Sequence, residues 1–126
     1  MKRILVIEDE RIAARIVTNM CDTHGWYSEV AHNLTDGLHL LAVAHFDCCL
    51  LDLCLPESDW HETIKRVRAV SQVPIVVMTA KDHDPNIELE AIRQGANEFL
   101  NKAPSLDMLN FERMVNRAIE RVKVQH

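Results

Sequence analysis

Charged and hydroxyl side chains follow the short apolar runs of this 126-residue chain. Glu8 and Asp9 come directly after the first run, and Asp52 stands near the end of the third. Thr79 follows the fourth run and Lys102 the fifth. Carboxylates that are brought together repel each other unless a proton or a cation binds among them, and Mg²⁺ or Mn²⁺ prefers such oxygen ligands. These residue types therefore predict a metal site with a lysine beside it.

The charges of these residues indicate a role for each of them. Asp9 and Asp52 are predicted to be direct metal ligands, and Glu8 would act directly or through a water. Lys102 would keep Asp52 ionised and bind an incoming phosphoryl oxygen, while Thr79 adds a hydroxyl donor. A carboxylate beside cationic groups can attack a phosphorus centre and form an acyl phosphate. The pattern therefore favours Asp52 as a nucleophile toward phosphorus.

Short apolar runs alternate with stretches of helical period along the whole chain. Each interval is long enough for a strand, a crossover helix and two loops. The first and fourth runs are apolar throughout, as in central parallel strands, whereas the second alternates and is expected nearer an edge. Ligands bind outside the carboxyl ends of parallel strands, so the residues above should meet at one rim. We predict a doubly wound α/β sandwich of three layers with five parallel strands at residues 4–7, 27–31, 48–53, 75–78 and 98–100.

Helix signals occupy the intervals between these strands. Gly25 stands where the first helix would end, and Asn33 can cap the second, which Gly37 weakens by about 1 kcal/mol relative to Ala. A third helix is predicted over residues 60–70, and Pro85 suits the first turn of a fourth. In the fourth helix the predicted buried residues are Ile87, Ala91 and Ile92. Ser105 can cap a final helix, whose predicted apolar stripe consists of Leu106, Leu109, Val115, Ala118, Ile119 and Val122.

Composition limits the classes of protein to which the chain can belong. With 126 residues, of which 48% are hydrophobic and 26% charged, it fits one globular domain with its own core. A net charge of −5 argues against a nucleic-acid interface over the whole surface. No apolar run approaches the roughly 20 residues of a membrane span. We therefore expect a soluble cytoplasmic domain that binds neither nucleic acid nor membrane.

The cysteines and histidines match no known zinc or redox motif. Cys21, Cys48, Cys49 and Cys54 are too few for a disulfide framework, so reduced thiols are expected. Cys48 and Cys49 are adjacent on a predicted strand and should point to opposite faces. The seven histidines include no pair at the four-residue spacing of a helical zinc site, and we expect them at the surface.

Four stretches of the sequence, in this order, resemble the receiver domains of two-component response regulators. They are ILVIEDE at 4–10, LLDLCLP at 50–56, VVMTA at 76–80 and GANEFLNK at 95–102. The resemblance covers essentially the full length and implies a flavodoxin-like (βα)5 fold. It also implies that Asp52 accepts a phosphoryl group from the phosphohistidine of a histidine kinase or a histidine phosphotransfer protein, with Mg²⁺ bound nearby.

The resemblance assigns a metal-binding role to residues around the predicted acceptor. Glu8 and Asp9 match the acidic pair of the family, with Glu8 at a position where Asp is more usual. The backbone carbonyl of Cys54 matches the third protein ligand of the metal. Lys102 matches the lysine that contacts the phosphoryl oxygens. A receiver of this kind would need Mg²⁺ or Mn²⁺ for phosphoryl transfer.

The resemblance also implies a conformational switch and a control of its lifetime. Thr79 corresponds to the hydroxyl residue that moves toward the phosphoryl group, and Phe99 to the aromatic residue that changes rotamer with it. Cys54 and Lys81 occupy the positions that modulate self-dephosphorylation in the family. The domain is then a phosphoacceptor and not an enzyme acting on a separate substrate.

A basic stripe runs along the predicted last helix, where Arg113, Arg117 and Arg121 repeat every four residues. Such a stripe is either a solvated face or an interface. In receivers the final helix often joins a homodimer or leads into an output domain, and residues 117–124 look like the start of such a helix. Residues 1–126 are therefore predicted to form one receiver domain, alone or as the N-terminal part of a longer protein.

Three other functions compete with this interpretation. A phosphohydrolase of the haloacid dehalogenase group would need a second Asp two residues after its nucleophile, where Cys54 stands. A flavodoxin-like cofactor binder would need a Gly/Ser/Thr-rich loop after the first strand, and residues 8–10 are acidic instead. A degenerate receiver would keep the fold as a protein-interaction module that works without phosphorylation. The presence of Asp9, Asp52, Thr79 and Lys102 argues against the last of these.

Overall fold

The computed structural model describes residues 1–55, 59–79, 85–101 and 108–125. Within these residues strands and helices alternate from the first element to the last, as the hydrophobic pattern predicts. Both termini of each predicted strand agree with the structure to within one residue. The elements are β1 (Arg3–Ile7), α1 (Arg11–Thr23), β2 (Tyr27–Ala31), α2 (Leu34–Val43), β3 (Cys48–Asp52), α3 (Trp60–Val70), β4 (Ile75–Thr79), α4 (Pro85–Gln94), β5 (Glu98–Asn101) and α5 (Met108–Gln125).

The strands of the described residues form one parallel sheet in the order β2-β1-β3-β4-β5. This is the flavodoxin-like order, in which the chain reverses direction across the sheet between β1 and β3. β1, β3 and β4 lie between two neighbours, which explains why their sequences are apolar almost throughout. β2 lies at an edge, as its alternating sequence predicts.

The sheet separates two apolar clusters, because successive strand residues point to opposite faces. Leu5 and Ile7 pack with residues of α2, α3 and α4, whereas Ile4 and Val6 pack with α1 and α5. The predicted three-layer sandwich is thus confirmed. None of the helices in the described residues is long and apolar enough to cross a membrane.

All four cysteines are free thiols, as expected. Cys48 and Cys49 point to opposite faces of the sheet and belong to different apolar clusters. Burial raises the pKa of the Cys21 and Cys49 thiols to about 12, and raises that of Cys48 further above its usual range. Cys54 is exposed. The three buried thiols therefore act as small apolar core residues.

Polar residues cap the N-termini of α1 and α2, and a glycine follows the C-terminus of α1. Glu10 caps α1 by accepting hydrogen bonds from the backbone N–H groups of Ile12 and Ala13, at 3.1 and 3.0 Å. The predicted cap of α2 is confirmed, since Asn33 Oδ1 accepts from the third residue of that helix at 2.7 Å. Gly25 follows α1 with a φ of +74°, a conformation that favours glycine. Ser105, the predicted cap of the last helix, lies outside the described residues.

Two predictions about buried helix residues are wrong. Ile92 is 40% exposed, because α4 turns one side toward the sheet and that side carries Ala91. Leu109 is 60% exposed, since the buried stripe of α5 begins at Phe111 and continues through Val115 and Ala118. Residues 109 and 111 are about 200° apart around a helix, so one of them must face outward. Counting apolar residues without assigning them to a face caused both errors.

His24 departs from our expectation that the histidines lie at the surface, because its side chain is 15% exposed. Its ring lies 4.8 Å from that of Trp26 and 6.4 Å from that of Phe111, measured between centroids. Nδ1 lies 3.4 Å from a carboxylate oxygen of Glu112. His24 therefore joins the end of α1 to α5, a role that its sequence position alone does not indicate.

The basic stripe of α5 contacts the edge strand β5. Arg121 and Arg117 lie 2.9 and 3.4 Å from the same carboxylate oxygen of Glu98, which is otherwise buried. Both arginines remain about half exposed. Part of the stripe therefore neutralises a buried strand carboxylate, which explains how a Glu is tolerated in β5.

Gly37 in α2 lies closer to the sheet than any larger residue could. A Cβ at this position would be 2.5 Å from Cδ1 and 2.8 Å from Cγ1 of Ile7, which is completely buried in β1. The glycine that lowers helix propensity thus allows α2 to approach the sheet closely. Close packing explains a residue that the sequence pattern presents only as a weakness.

Gly37→Ala is expected to destabilise the protein by about 1–2 kcal/mol, although Ala favours helices by about 1 kcal/mol. The added methyl group would overlap the Ile7 side chain, whose neighbours in the core leave it little room. Urea unfolding of both proteins measures the difference in free energy. Ile7→Val removes the nearest atom, so the Gly37→Ala cost should shrink in that background. A stabilising Gly37→Ala in both backgrounds would contradict this account.

Candidate functional site

Three carboxylate side chains meet at the carboxyl edge of the sheet, where the strand order places them. Ligand oxygens of Glu8, Asp9 and Asp52 all lie within 4.8 Å of one another. β1 and β3 are neighbours in the sheet and pair Ile7 with Leu51. The next residues along the two strands, Glu8 and Asp52, are therefore brought side by side. The predicted acidic cluster is therefore present in the structure.

Asp52 ends β3 and is 4% exposed. One carboxylate oxygen, Oδ1, accepts a hydrogen bond of 3.0 Å from the backbone N–H of Cys54. This bond turns the chain sharply after the strand and fixes the orientation of the carboxylate. Because β3 lies in the centre of the sheet, the carboxylate is held by a rigid part of the fold.

Glu8 is completely buried, whereas Asp9 is accessible to solvent. The backbone N–H of Glu10 lies 3.4 Å from Oε2 of Glu8, so the start of α1 contacts this carboxylate. The side chain of Glu10 instead caps α1 and takes no part in the cluster. The acidic stretch after β1 thus divides into two cluster members and one helix cap.

The oxygen atoms of the cluster fit a hard divalent cation. Such a cation binds carboxylate, carbonyl and water oxygens, and Mg²⁺ usually takes only one or two carboxylates from the protein. Glu8, Asp9 and Asp52 would supply negative charge that a divalent cation offsets. Since Asp9 and Cys54 are accessible to solvent, water and a further ligand can reach the cluster.

Comparison with known proteins identifies the family. A model of the response regulator receiver domain matches residues 4–111, which include all five strands and the acidic cluster. The chain belongs to this family. The resemblance seen in the sequence is therefore confirmed, and the chain contains a receiver domain of the kind found in two-component response regulators.

Named relatives agree with this assignment. Regulatory protein AtoC of Escherichia coli (strain K12) is 32% identical over 121 residues, which cover 95% of this chain but 26% of AtoC. The chain spans about half the length of other curated relatives that it matches. The receiver domain of the Francisella response regulator 1452 superposes with a TM-score of 0.83 at 21% identity and covers 96% of this chain and 98% of that one.

A third similar protein is known with a modified aspartate. It is a response regulator protein from Burkholderia pseudomallei, solved with a phosphorylated aspartic acid, a calcium ion and citrate. Its TM-score is 0.82 at 21% identity, over 99% of this receiver domain and 72% of that chain. At this level of identity the likeness shows a common fold.

Two further predicted site residues lie on β4 and β5, the two strands on the side of β3 away from β1. Thr79 is the last residue of β4 and is 3% exposed. Phe99 lies in β5 and is half-buried, opposite Val77 in the register of the two strands. The receiver domain therefore places both residues in the order in which the sequence predicts them, from the acceptor strand outward.

The described residues do not include every predicted site residue. Lys102 and Lys81 lie outside them, so their predicted roles stay predictions. Cys54 is described and exposed, with its N–H bound to Asp52. Its carbonyl as a metal ligand also stays a prediction.

Sequence reasoning missed one residue at this edge of the receiver domain. His32 follows β2, and its ring Nδ1 lies 3.1 Å from the backbone oxygen of Glu8. We expected it only as a surface histidine. The one signal that could have revealed it is its place directly after a strand, where the rim of a parallel sheet binds ligands.

Proposed function

We propose that this receiver domain accepts a phosphoryl group on Asp52 from the phosphohistidine of a histidine kinase or a histidine phosphotransfer protein. The observation that carries the proposal is the gathering of Asp52 with Glu8 and Asp9, all within 4.8 Å, at the carboxyl edge of the sheet. The kinase or phosphotransfer protein and the receiver would meet in the cytoplasm.

The transfer requires a carboxylate oxygen that is held in place and ready to attack. Asp52 is oriented by the N–H of Cys54, which binds Oδ1 at 3.0 Å. A bond forms between an Asp52 carboxylate oxygen and phosphorus while the P–N bond of the phosphohistidine breaks and the imidazole leaves. The product is an acyl phosphate and an unmodified histidine on the donor.

Glu8, Asp9 and Asp52 are the residues that would hold a divalent cation, together with the backbone carbonyl of Cys54. Bound Mg²⁺ or Mn²⁺ would offset the repulsion among the carboxylates and the negative charge of the phosphoryl oxygens. The chain's own residues position the nucleophile and supply donors. Lys102 would contact the phosphoryl oxygens as a point charge.

Thr79 and Phe99 would carry the signal away from Asp52. Thr79 ends the strand next to β3, so a movement of its hydroxyl toward the phosphoryl group alters the neighbouring strand β5. Phe99 on β5 would change rotamer with it, and the altered face would control a dimer contact or an output domain through α5. Cys54 and Lys81 would tune the rate of self-dephosphorylation.

Incubation with acetyl phosphate tests the proposal. We expect the intact mass to increase by one phosphoryl group in MgCl₂, and the same sample in excess EDTA to remain unmodified. Borohydride reduction followed by peptide mass spectrometry should locate the modification at Asp52. A domain that acetyl phosphate does not modify and that does not respond to beryllofluoride would instead be a receiver that works without phosphorylation.

A further inference from the structure

The ring of His32 contacts the backbone of Glu8, the member of the acidic cluster that directly follows β1. His32 comes directly after β2, and its Nδ1 lies 3.1 Å from the backbone oxygen of Glu8, which comes directly after the neighbouring strand β1. A carbonyl oxygen only accepts hydrogen bonds, so Nδ1 carries the proton and donates. The ring therefore makes a directed hydrogen bond to the main chain at the rim.

Ala31 and His32 together bind both backbone polar groups of Glu8. Its N–H donates to the carbonyl oxygen of Ala31 at 3.0 Å, and its own carbonyl accepts from His32. The regular pairing of β1 with β2 ends one residue earlier, at Ile7 opposite Ala31. The His32 ring thus extends the support of the edge strand to the first residue beyond the ladder.

The anchored carbonyl belongs to the peptide unit between Glu8 and Asp9. Because this unit is planar, its orientation sets ψ of Glu8 and φ of Asp9 together. Those two angles direct the carboxylates that lie within 4.8 Å of Asp52. A single hydrogen bond from His32 therefore constrains two of the three acidic residues.

The identity of Glu8 makes this constraint more important. A Glu side chain has one more rotatable bond than Asp, so its carboxylate has more conformations available unless the backbone is fixed. Glu8 is nevertheless completely buried, in a position where its oxygen must reach Asp9 and Asp52. The support of the peptide unit limits where that carboxylate can point.

His32 itself lies in the short connection between β2 and α2. It lies between Ala31, the last residue of β2, and Asn33, the cap of α2. Asn33 Oδ1 accepts from the Asp36 N–H at 2.7 Å, and Asn33 Nδ2 donates to the Asp36 carboxylate at 3.0 Å. Hydrogen bonds thus hold the residues on both sides of His32, which is itself half-buried.

We propose that His32 is a positioning residue for the metal site of this receiver domain. It donates Nδ1–H to the Glu8 carbonyl and thereby orients Glu8 and Asp9 for a divalent cation. This inference rests on the proposed function, because it concerns the affinity of the same site for Mg²⁺. Removal of a group that orients metal ligands typically weakens metal binding by about 10- to 100-fold.

Three substitutions of His32 distinguish the effect of losing its hydrogen-bond donor from the effect of losing its ring. His32→Phe keeps a ring but removes the donor. His32→Asn places an amide nitrogen at the position of Nδ1, and His32→Gln moves the amide one bond further out. His39→Phe, on an exposed position of α2, is the matched control for the loss of a histidine. Titration calorimetry with MgCl₂ gives the dissociation constant, and the thermal midpoint without metal reports the stability of each variant.

The pattern across the variants tests the proposal. We expect about 10-fold or weaker Mg²⁺ binding for the Phe and Gln variants, and binding close to wild type for His32→Asn and His39→Phe. Equal affinities in the wild type and in all His32 variants would overturn the positioning role and leave the proposed function standing. A wild type that binds no Mg²⁺ would overturn both. Loss of affinity that follows only loss of thermal stability, with no rescue by Asn, would also overturn it.

Discussion

Asp52→Asn is expected to reduce phosphoryl incorporation from acetyl phosphate by at least about 100-fold, because it removes the nucleophile of a covalent step. An amide oxygen at the same position is a far weaker nucleophile than a carboxylate. The fold should persist, since Asn Oδ1 can still accept the hydrogen bond from Cys54 N–H that Asp52 accepts at 3.0 Å. Intact-mass spectrometry after reaction in MgCl₂ measures the modified fraction.

Two comparisons separate loss of the acceptor from other effects. Asp22→Asn removes the same charge at an exposed site near the end of α1 and should leave incorporation unchanged. The thermal midpoint of Asp52→Asn in metal-free buffer should not fall, because the substitution removes one charge from three clustered carboxylates. Wild-type levels of incorporation in Asp52→Asn would show that another residue accepts the phosphoryl group.

Arg68→Met is expected to lower the free energy of unfolding by about 2–4 kcal/mol, which would be the largest stability effect among these variants. The guanidinium donates to the backbone oxygen of Gly95 at 2.8 and 3.1 Å and to Asn97 Oδ1 at 2.9 Å. It also binds the carbonyl of Val73. Removal of the guanidinium leaves partly buried acceptors on two loops without their donor. Urea unfolding monitored by circular dichroism measures the change.

The position and the geometry of Arg68 both have controls. Arg66→Met, on the exposed side of the same helix, should change stability by less than about 0.5 kcal/mol. Arg68→Lys should fall between the two, because an ammonium cannot form the planar fork that binds several acceptors. Partial burial lowers the pKa of Arg68 below its usual range. Equal stability of the two Met variants would contradict this account.

The elements of the fold could be predicted because their signals are local. Continuous apolar runs mark β1 and β4 as central strands, and the alternating residues of β2 mark it as an edge. Asn33 and Gly25 stand where a cap and a left-handed turn are needed, and both have those roles. Each of these features depends on a few neighbouring residues, so the sequence alone contains the information.

Contacts between distant residues could not be predicted in this way. The overlap of Gly37 with Ile7 and the hydrogen bond from His32 to Glu8 depend on how closely two elements approach. The contact of α5 arginines with Glu98 likewise requires the final docking angle of a helix. Propensity and periodicity describe each element by itself and contain no distances between elements.

The candidate site lies between these two cases. The cluster of Glu8, Asp9 and Asp52 could be predicted because the strand order of a parallel sheet brings strand ends together at one rim. The division of labour within the acidic stretch could not, since the Glu10 side chain binds backbone N–H groups of its own helix. The roles proposed for Thr79 and Phe99 rest on the family resemblance, and the structure gives only their positions.

The order of the strands has a mechanical consequence for a receiver. β3 shares hydrogen-bonded ladders with β1 on one side and β4 on the other, so it cannot slide without breaking both. β5 is bound to the sheet by a single ladder, to β4. Asp52, the proposed phosphoacceptor, thus lies on a strand that both neighbours hold in place, whereas β5, which contains Phe99 and contacts the α5 arginines, can move more easily.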